Sequence, residues 1–310
     1  MFETSMIVAL LASGIRMAVP VIYSSIGEVV AERAGVLNIG IEGQMLLGAF
    51  TALVASVYTG SVFVGIFLGG ILGGLGALVI AYLGVSRKQD QAVVGIIFNI
   101  FALGLTSYMY RVLFGVATTP PQVDIIPAVQ IPLLSEIPVL GEILFSQNLL
   151  VYIAVLLTVV VWYTLFRTKL GLQLRATGEN PRAAQASGID VIKMRYGALF
   201  FCGMMAGIGG AFLTVAIVGR YMENISAGRG FIALSITIFS RWHPVFAMLG
   251  ALLFGLVDAL QLRLQAGGVD LPYQFMVMLP YVVTLISIML FGRNIHTPKA
   301  LGRIYEKEGR

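Results

Sequence analysis

Long apolar runs separated by short polar segments dominate the sequence, and several runs are close to 20 residues long. Clear examples lie at about 62–85, 92–114 and 149–166. An α-helix of about 20 residues crosses the ~30 Å hydrocarbon core of a bilayer. The short alternating strands of a membrane barrel are not seen, and a backbone in lipid must satisfy its own hydrogen bonds. The pattern therefore predicts an all-α polytopic membrane protein with about eight membrane-entering helices, one of them short or broken.

Two of the apolar runs are interrupted. The first, at about 5–26, contains Arg16 and Pro20. A later apolar stretch is divided by the polar segment 240–244, which leaves a piece of only nine residues at 231–239 before it. Nine helical residues are too few to cross the hydrocarbon core. We therefore expect a short membrane-entering helix that begins with this piece and covers about 231–242.

Basic residues cluster in three connecting segments, at 87–88, in the loop 167–195 and in the tail 292–310. Loops rich in Lys and Arg face the cytoplasm in membrane proteins, so we place all three segments inside. The proline-containing loop 115–148 has no Lys or Arg and is expected outside, with a short interfacial helix at about 139–145. Three apolar runs precede the inside segment 87–88, and this odd number of crossings places the N-terminus outside.

The composition is typical of a membrane protein and argues against a nucleic-acid partner. Apolar residues make up 58% of the chain and charged residues 11%, against about 25% charged in soluble domains. We therefore interpret residues 1–310 as a single transmembrane domain embedded in membrane lipid. The net charge is +5, but the basic residues lie in loops and in the tail, so no nucleic-acid partner is expected. The one cysteine, Cys202, excludes an intramolecular disulfide and is interpreted as a small packing residue.

No catalytic or metal-binding constellation is found in the sequence. The two histidines, His243 and His296, lie far apart along the chain, and there is no Gly-Lys dipeptide and hence no Walker A motif. The chain is therefore not expected to be an enzyme or to bind a metal or cofactor. If ATP drives its function, ATP and magnesium are bound by another chain.

Three polar residues within apolar runs are candidates for lining a translocation path: Arg16, Asn99 and Asp258. Charged side chains in the membrane are costly and usually face the protein interior. Each has a structural alternative. Arg16 either contacts solute or pairs with an acid such as Glu28 or Glu42, Asn99 either faces the path or bonds a neighbouring helix, and Asp258 either faces a cavity or pairs with a neighbour.

The segment 27–44 is unusually polar and rich in glycine for a membrane protein. Irregular backbone at membrane depth is stable only where protein encloses it or where it lines a cavity. Broken helices of this kind expose backbone groups to solutes in transporters. We therefore add Asn38, Glu42 and Gln44 to the candidate path residues.

The loop segment 170–189 reads as a turn followed by a short helix. Asn180 is a suitable N-cap with Pro181 at the first helical position, the helix covers 182–187, and Gly188 ends it. Small side chains would let this helix dock into a groove on a partner. The alternative is a solvated basic loop.

The chain resembles the permeases of ATP-binding-cassette importers in the branched-chain amino acid and ribose class, with the type II importer fold. Within that class it is most similar to the nucleoside subgroup, of guanosine or purine type. The stretches that carry the resemblance are 27–43, 177–189, 228–255 and 298–305.

The resemblance implies a complex in the bacterial cytoplasmic membrane. Its other parts would be an ATPase subunit, a second and related permease subunit, and an extracytoplasmic lipoprotein receptor that delivers a nucleoside. The loop 167–195 would be the coupling loop, whose short helix contacts the ATPase. The residues that match the coupling motif are Gly178, Asn180, Pro181, Ala183, Ala184, Gly188 and Ile189.

One departure from the class lies at Ser235 and Ser240, where small Ala or Gly residues are expected; the hydroxyls are expected to bond locally. Two other functions remain open. A simple-sugar permease of the same class would carry a related solute, because ribose is part of every nucleoside. An ion-coupled secondary transporter would need an essential carboxylate in the membrane, for which Glu42 and Asp258 are the candidates.

Overall fold

The computed structural model describes residues 2–115, 120–132, 134–267, 272–291 and 296–306. Helices dominate, and two short strands pair in an antiparallel ladder between Ala128–Gln130 (β1) and Ser146–Asn148 (β2). The helices are α1 (Phe2–Arg33), α2 (Ile41–Thr59), α3 (Val62–Ala81), α4 (Gln91–Phe114), α5 (Leu140–Leu144), α6 (Leu149–Arg167), α7 (Lys169–Glu179), α8 (Pro181–Ala186), α9 (Val191–Phe212), α10 (Arg229–Phe239), α11 (Pro244–Ala266) and α12 (Tyr273–Phe291). Helices α3 and α9 each continue into a π-helical turn, at Tyr82–Ser86 and Leu213–Val218.

Seven helices in the described part of the chain are long and apolar enough to cross a membrane: α1, α2, α3, α4, α6, α9 and α11. Shorter apolar helices are found at Arg229–Phe239, which is α10, and within α12 at Gln274–Ser287. This arrangement confirms the predicted all-α membrane fold, with α10 as the short helix; with α10 and α12 added to the seven, the described residues hold nine membrane candidates, one more than the predicted number of about eight.

Close backbone packing joins α2, α3 and α9. A Cβ atom at Gly48 in α2 would overlap the carbonyl group of Gly207 in α9, and a Cβ at Gly207 would overlap the carbonyl of Gly69 in α3. Small residues let helix backbones approach in this way, which replaces the hydrophobic driving force that is absent in lipid. The three helices therefore form a tightly fitted unit.

The first helix is longer than the sequence pattern predicts. We expected the first apolar run to end near residue 26 and the polar segment 27–44 after it to be a broken helix; residues 27–33 are instead part of α1, so this part of the expectation was wrong. Helix α1 contains Pro20 and continues to Arg33, so the irregular segment is confined to residues 34–40. The polar residues Glu28 and Glu32 do not end the helix because their carboxyl groups have partners inside the protein.

A second difference lies in the loop 167–195. The segment expected to be a turn is the eleven-residue helix α7, with Thr168 as its N-cap. Gly171 lies inside the helix because it packs against the backbone of Leu165, where a Cβ would not fit. The expected short helices at 182–187 and 139–145 are present as α8 and α5.

The three basic segments meet at one end of the bundle. Lys88 pairs with Glu306 of the tail at 2.9 Å, and the backbone N–H of Ala300 donates to the carbonyl of Gly178 at 2.9 Å. The other end of α1 approaches the loop 115–148, where the Gln147 amide contacts the carbonyl of Ala12 at 3.4 Å. Three basic residues of the tail, Arg293, Lys307 and Arg310, lie outside the described residues.

Candidate functional site

Helix α10 begins partway through the bundle. Its eleven residues extend about 16 Å at 1.5 Å per residue, roughly half of the hydrocarbon thickness. Its C-terminal turn, Ser240–His243, packs against the end of α1 that lies with the basic segments. The N-terminus of α10 therefore lies near the middle of the membrane-spanning region. The first backbone N–H groups of a helix have no partners within the helix, so other groups of the protein have to bond them at this depth.

Glu42 supplies those partners from the first turn of α2. Its Oε1 accepts hydrogen bonds from the Ser226 hydroxyl at 2.5 Å and from the backbone N–H of Gly228 at 2.8 Å. Its Oε2 accepts from the backbone N–H of Gly230 at 2.7 Å. The positive end of a helix dipole stabilises a carboxylate at this position. Glu42 is 5% exposed, so it holds α10 in place from within the protein.

An ion pair lies beside the same helix end. Arg229, the first residue of α10, contacts Asp258 of α11 at 2.7 Å, with side-chain exposures of 17% and 9%. The Tyr281 hydroxyl of α12 donates to the carbonyl of Ala227 at 2.7 Å. Glu42, Ser226, Arg229, Asp258 and Tyr281 form what we call the mid-membrane cluster.

Asn99 of α4 binds the backbone at the start of α2. Its Oδ1 accepts from the N–H of Gly43 at 2.8 Å, and its Nδ2 donates to the carbonyl of Ile39 at 2.8 Å. These two bonds satisfy groups that the break between α1 and α2 leaves without helical partners. Asn99 thus fixes the position of α2, and with it the position of Glu42.

Asn38 and Gln44, on either side of the start of α2, belong to a buried hydrogen-bond network at the break between α1 and α2. The two side-chain amides exchange hydrogen bonds of 2.9 and 3.1 Å. The backbone N–H of Asn38 donates to Glu28 at 3.2 Å, and the Cys202 thiol donates to Glu28 at 3.1 Å. All four residues are fully buried. Cys202 therefore packs as expected and also joins a hydrogen-bond network that the sequence pattern did not reveal.

A second buried contact ties α1 to the turn between α10 and α11. The indole N–H of Trp242 donates to Glu32, and Arg33 donates to the carbonyls of Trp242 and Arg241, each at 3.2 Å. Arg241 and Trp242 have φ angles of +56° and +55°, a conformation that costs non-glycine residues energy. The contacts with Glu32 and Arg33 hold the turn in this conformation.

The predicted coupling helix α8 has the expected caps. The side chain of Asn180 accepts from the backbone N–H of Ala183 at 3.1 Å, and Pro181 occupies the first turn. Gly188 has φ +83°, and the N–H of Ile189 bonds the carbonyl of Ala184 at 3.0 Å. These local bonds make α8 a defined helix, not an irregular loop.

The seven predicted coupling residues divide into buried and exposed positions. Gly178 is buried with no room for a side chain, since a Cβ would overlap the carbonyl of Arg33. Ala184 is 2% exposed and packs with Val191 and Tyr305. The exposed face of α8 includes Arg182, Ala183 and Ala186. A partner that contacts α8 would meet this face first.

Arg16 lies apart from the other candidate residues. It is partly buried in the N-terminal half of α1, and Glu142 of α5 is the acid that interacts with it electrostatically. Glu28 and Glu42, the acids considered as its partners, bind other groups. The structure thus brings together Glu42 and Asp258 near α10 and places Asn38, Gln44 and Asn99 around the α1–α2 break.

Sequence reasoning missed three residues that organise this region: Glu32, Arg229 and Trp242. Arg229 stands between Gly228 and Gly230 at the start of a short apolar helix, which is the only signal that could have identified it. Among the described residues, no group of three His, Cys, Asp or Glu side chains is arranged to hold a metal ion.

The serines that depart from the class have local partners. The Ser235 hydroxyl donates to the carbonyl of Phe231 at 3.0 Å, and the Ser240 hydroxyl donates to the carbonyl of Thr237 at 2.9 Å. Both bonds lie within α10 or its last turn, so the hydroxyls change the chemistry of the helix surface very little.

Comparison with known proteins gives the family. The family model described as branched-chain amino acid transport system / permease component matches residues 10–291. The chain is 37% identical over 300 residues to the nucleoside ABC transporter permease protein NupC of Lactococcus lactis, covering 93% of each chain. It is 36% identical over 299 residues to the guanosine ABC transporter permease protein NupQ of Bacillus subtilis, covering 94% of each.

A sugar permease is also similar. The chain is 36% identical over 261 residues to the putative glucose ABC transporter permease protein TsgC13 of Haloferax volcanii, covering 83% of this chain and 78% of the relative. A solved inward-facing structure of a putative metal-chelate type ABC transporter has a TM-score of 0.53 at 17% identity, covering 90% of this chain and 85% of that one; this likeness concerns the fold. Because the family model matches residues 10–291 and these relatives are similar over most of the chain, the chain belongs to the family of branched-chain amino acid transport system permease components.

Proposed function

We propose that this chain is the transmembrane permease subunit of an ATP-binding-cassette importer that carries nucleosides across the bacterial cytoplasmic membrane. The observation that carries this proposal is the 36–37% identity, over more than nine-tenths of the chain, to two permeases named for nucleosides and guanosine. ATP and magnesium bind a separate ATPase subunit, and a lipoprotein receptor delivers the solute on the outer side.

A chain of contacts supports coupling between the ATPase side and the middle of the membrane. Gly178, at the end of α7, packs against the backbone of Arg33. Arg33 bonds the turn after α10 through Trp242, and the other end of α10 is held by Glu42. A displacement of α8 by the ATPase would thus reach α10 through rigid, hydrogen-bonded elements.

Alternating access follows if the bundle has two arrangements that ATP and solute favour differently. Helix α10 is suited to move as a unit, because its two ends are held by separate groups on α1 and α2. Breaking the hydrogen bonds at either end of α10 would let its polar N-terminus shift toward or away from the translocation path. In this mechanism the mid-membrane cluster forms part of the gate.

The complex also requires a second permease subunit, and a related one is favoured over a second copy. In Bacillus subtilis the guanosine ABC transporter permease protein NupP is 26% identical to this chain over 288 residues, which is lower than the 36% for NupQ of the same organism. Two permeases of one solute class in one organism support a heterodimer of unlike permeases.

A glucose-type sugar is the second candidate solute, and the 36% identity to the putative glucose permease favours it. Ion-coupled transport has less support from the structure. Both carboxylates that it would need are engaged, Glu42 by three hydrogen-bond donors and Asp258 by Arg229. A coupling carboxylate has to bind and release an ion during transport, and neither is free to do so in this arrangement.

The test is uptake of radiolabelled guanosine and of radiolabelled glucose into proteoliposomes. The complete system contains this chain, the candidate ATPase, a second permease, the receptor and ATP, and each component is omitted in turn. Guanosine uptake that requires every component is the expected result. Glucose uptake in its place would move the assignment to sugars, and uptake by this chain alone under a proton or sodium gradient would overturn it.

A further inference from the structure

A cavity of about 630 Å³ lies between the start of α8 and the tail segment 296–306. Its lining includes four basic and two acidic side chains, none of which takes part in the proposed gate. They are Arg182, Arg195, Lys299 and Arg303, with Glu179 and Glu306.

Arg195, the fifth residue of α9, places a buried positive charge on the wall of the cavity. It is 1% exposed, and its Nη1 donates to the carbonyl of Arg303 at 3.1 Å. Its guanidinium lies 5.8 Å from the ring centroid of Tyr305. Its Nε and Nη2 have no hydrogen-bond partner, and no carboxylate among the described residues forms an ion pair with it. A buried charge without an opposite charge nearby is costly, so an anion in the adjacent cavity would stabilise it.

The acidic side chains do not cancel this charge. Glu306 is directed to Lys88 at 2.9 Å, and this bond with Lys88 holds the pKa of the Glu306 carboxyl below its usual range. Glu179 is exposed at the end of α7. Lys299 and Arg303 are also exposed and have mobile side chains that can turn toward the cavity. The balance of charge around the cavity is therefore positive.

We propose that this cavity binds the phosphate group of a small anion on the side of the protein where the predicted coupling helix lies. Arg303 offers a planar fork of N–H donors and Lys299 a compact ammonium group, the two side chains that most often bind phosphate. The buried guanidinium of Arg195 adds a fixed positive charge at the wall of the cavity. The cavity is several times larger than a phosphate ion, so it has room for an attached organic group, either of a soluble metabolite or of a lipid headgroup.

Binding of a phosphate at this position would affect transport. The tail is already joined to α7 by the bond from Ala300 to Gly178, and the cavity lies between the tail and the start of α8. A phosphate bound there would bridge Arg182 of α8 and Arg303 of the tail. It would therefore stiffen the segment that the ATPase has to move. The site does not depend on which solute is carried.

The test uses the permease complex with its ATPase in nanodiscs of purely zwitterionic lipid, titrated with inorganic phosphate and with AMP by calorimetry. The unmodified complex is expected to bind, with affinity that falls as salt rises. The double variant K299Q/R303Q is expected to bind about tenfold more weakly or not at all, since charge-assisted hydrogen bonds are lost. The matched control is K193Q, because Lys193 is an exposed lysine at the same end of the bundle but outside this cavity.

A second arm separates the two sources of phosphate. If nanodiscs with phosphatidylglycerol block phosphate binding, and native mass spectrometry finds a bound lipid that K299Q/R303Q loses, the phosphate belongs to a lipid headgroup. If AMP binds equally in both membranes, the ligand is soluble. Absence of binding in both membranes overturns the proposal. Equal binding by the unmodified complex and the double variant also overturns it. The same holds if phosphate binds the free permease but not the complex, since the ATPase would then fill the cavity.

Discussion

The carboxylate of Glu42 accepts a 2.7 Å hydrogen bond from the backbone N–H of Gly230, a residue 188 positions further along the chain. The bond joins the start of α2 to the start of α10. It also explains why a helix that begins in the middle of the membrane region is stable there, since its first N–H groups are bonded by a carboxylate of the same chain. The N-terminus of α10 is therefore not available to an anionic solute while Glu42 occupies it.

Replacing Glu42 with Ala should weaken the hold on α10. The change leaves the N–H groups of Gly228 and Gly230 without partners, at about 1–3 kcal/mol each. We expect a lower midpoint of thermal unfolding of the purified permease and at least a tenfold loss of guanosine uptake. Glu42→Gln should be intermediate, because an amide oxygen can replace only one of the two carboxylate oxygens as acceptor. The control is Glu136→Gln, since Glu136 is exposed in the loop 115–148. Unchanged uptake in Glu42→Ala would contradict the role given to this residue.

The ion pair between Arg229 and Asp258 should behave as a coupled unit. Removing one partner leaves a largely buried charge, which typically costs about 3–5 kcal/mol for a fully buried pair and should cost somewhat less at exposures of 17% and 9%. We expect Arg229→Met and Asp258→Leu each to destabilise the permease strongly, and the double variant to cost less than the sum. Denaturant unfolding of the four proteins measures the coupling. Additive effects would show that the pair is not a unit.

Features of the site that depend on nearby residues were predictable from the sequence. The caps of α8 are an example, because Asn180, Pro181 and Gly188 lie within nine residues of one another and their preferences act locally. The close approach of α3 to a neighbouring helix was also predictable, since the glycines at 65, 69 and 73 lie on one helix face.

Partners that are far apart in the chain were not predictable. Glu42 and Asp258 were identified as unusual acids in the membrane, but nothing in their own neighbourhoods indicates Gly230 or Arg229. The same holds for Glu32 and Trp242, 210 residues apart. For α1, local polarity was misleading. Glu28 and Glu32 suggest an irregular segment, yet tertiary hydrogen bonds make the helix continue to Arg33.

The tight contact between α2, α3 and α9 leads to a prediction with a control in the same helix. Gly207→Ala would push a methyl group into the carbonyl of Gly69, and overpacking of this kind costs about 1–3 kcal/mol. Gly197→Ala lies ten residues earlier in α9, where nothing is within 4 Å of the added methyl. It should be neutral or should stabilise the helix by up to about 1 kcal/mol. The midpoints of thermal unfolding of the two variants should therefore shift in opposite directions or by very different amounts. Equal shifts would mean that the close packing is not needed for stability.

The two neighbouring alanines of α8 should respond differently to the same substitution. Ala183 is exposed, so Ala183→Arg should leave the thermal stability of the permease unchanged and reduce co-purification of the ATPase, if α8 is the surface that the ATPase binds. Ala184 is buried against Val191 and Tyr305, so Ala184→Arg should lower the stability of the permease itself, because a charged side chain has no space there. Gln89→Arg adds the same charge to another exposed position at this end of the bundle and should affect neither measurement. Normal ATPase binding by Ala183→Arg would remove α8 as the contact surface. Loss of binding in Gln89→Arg as well would show that added positive charge alone, and not the position on α8, disturbs the interface.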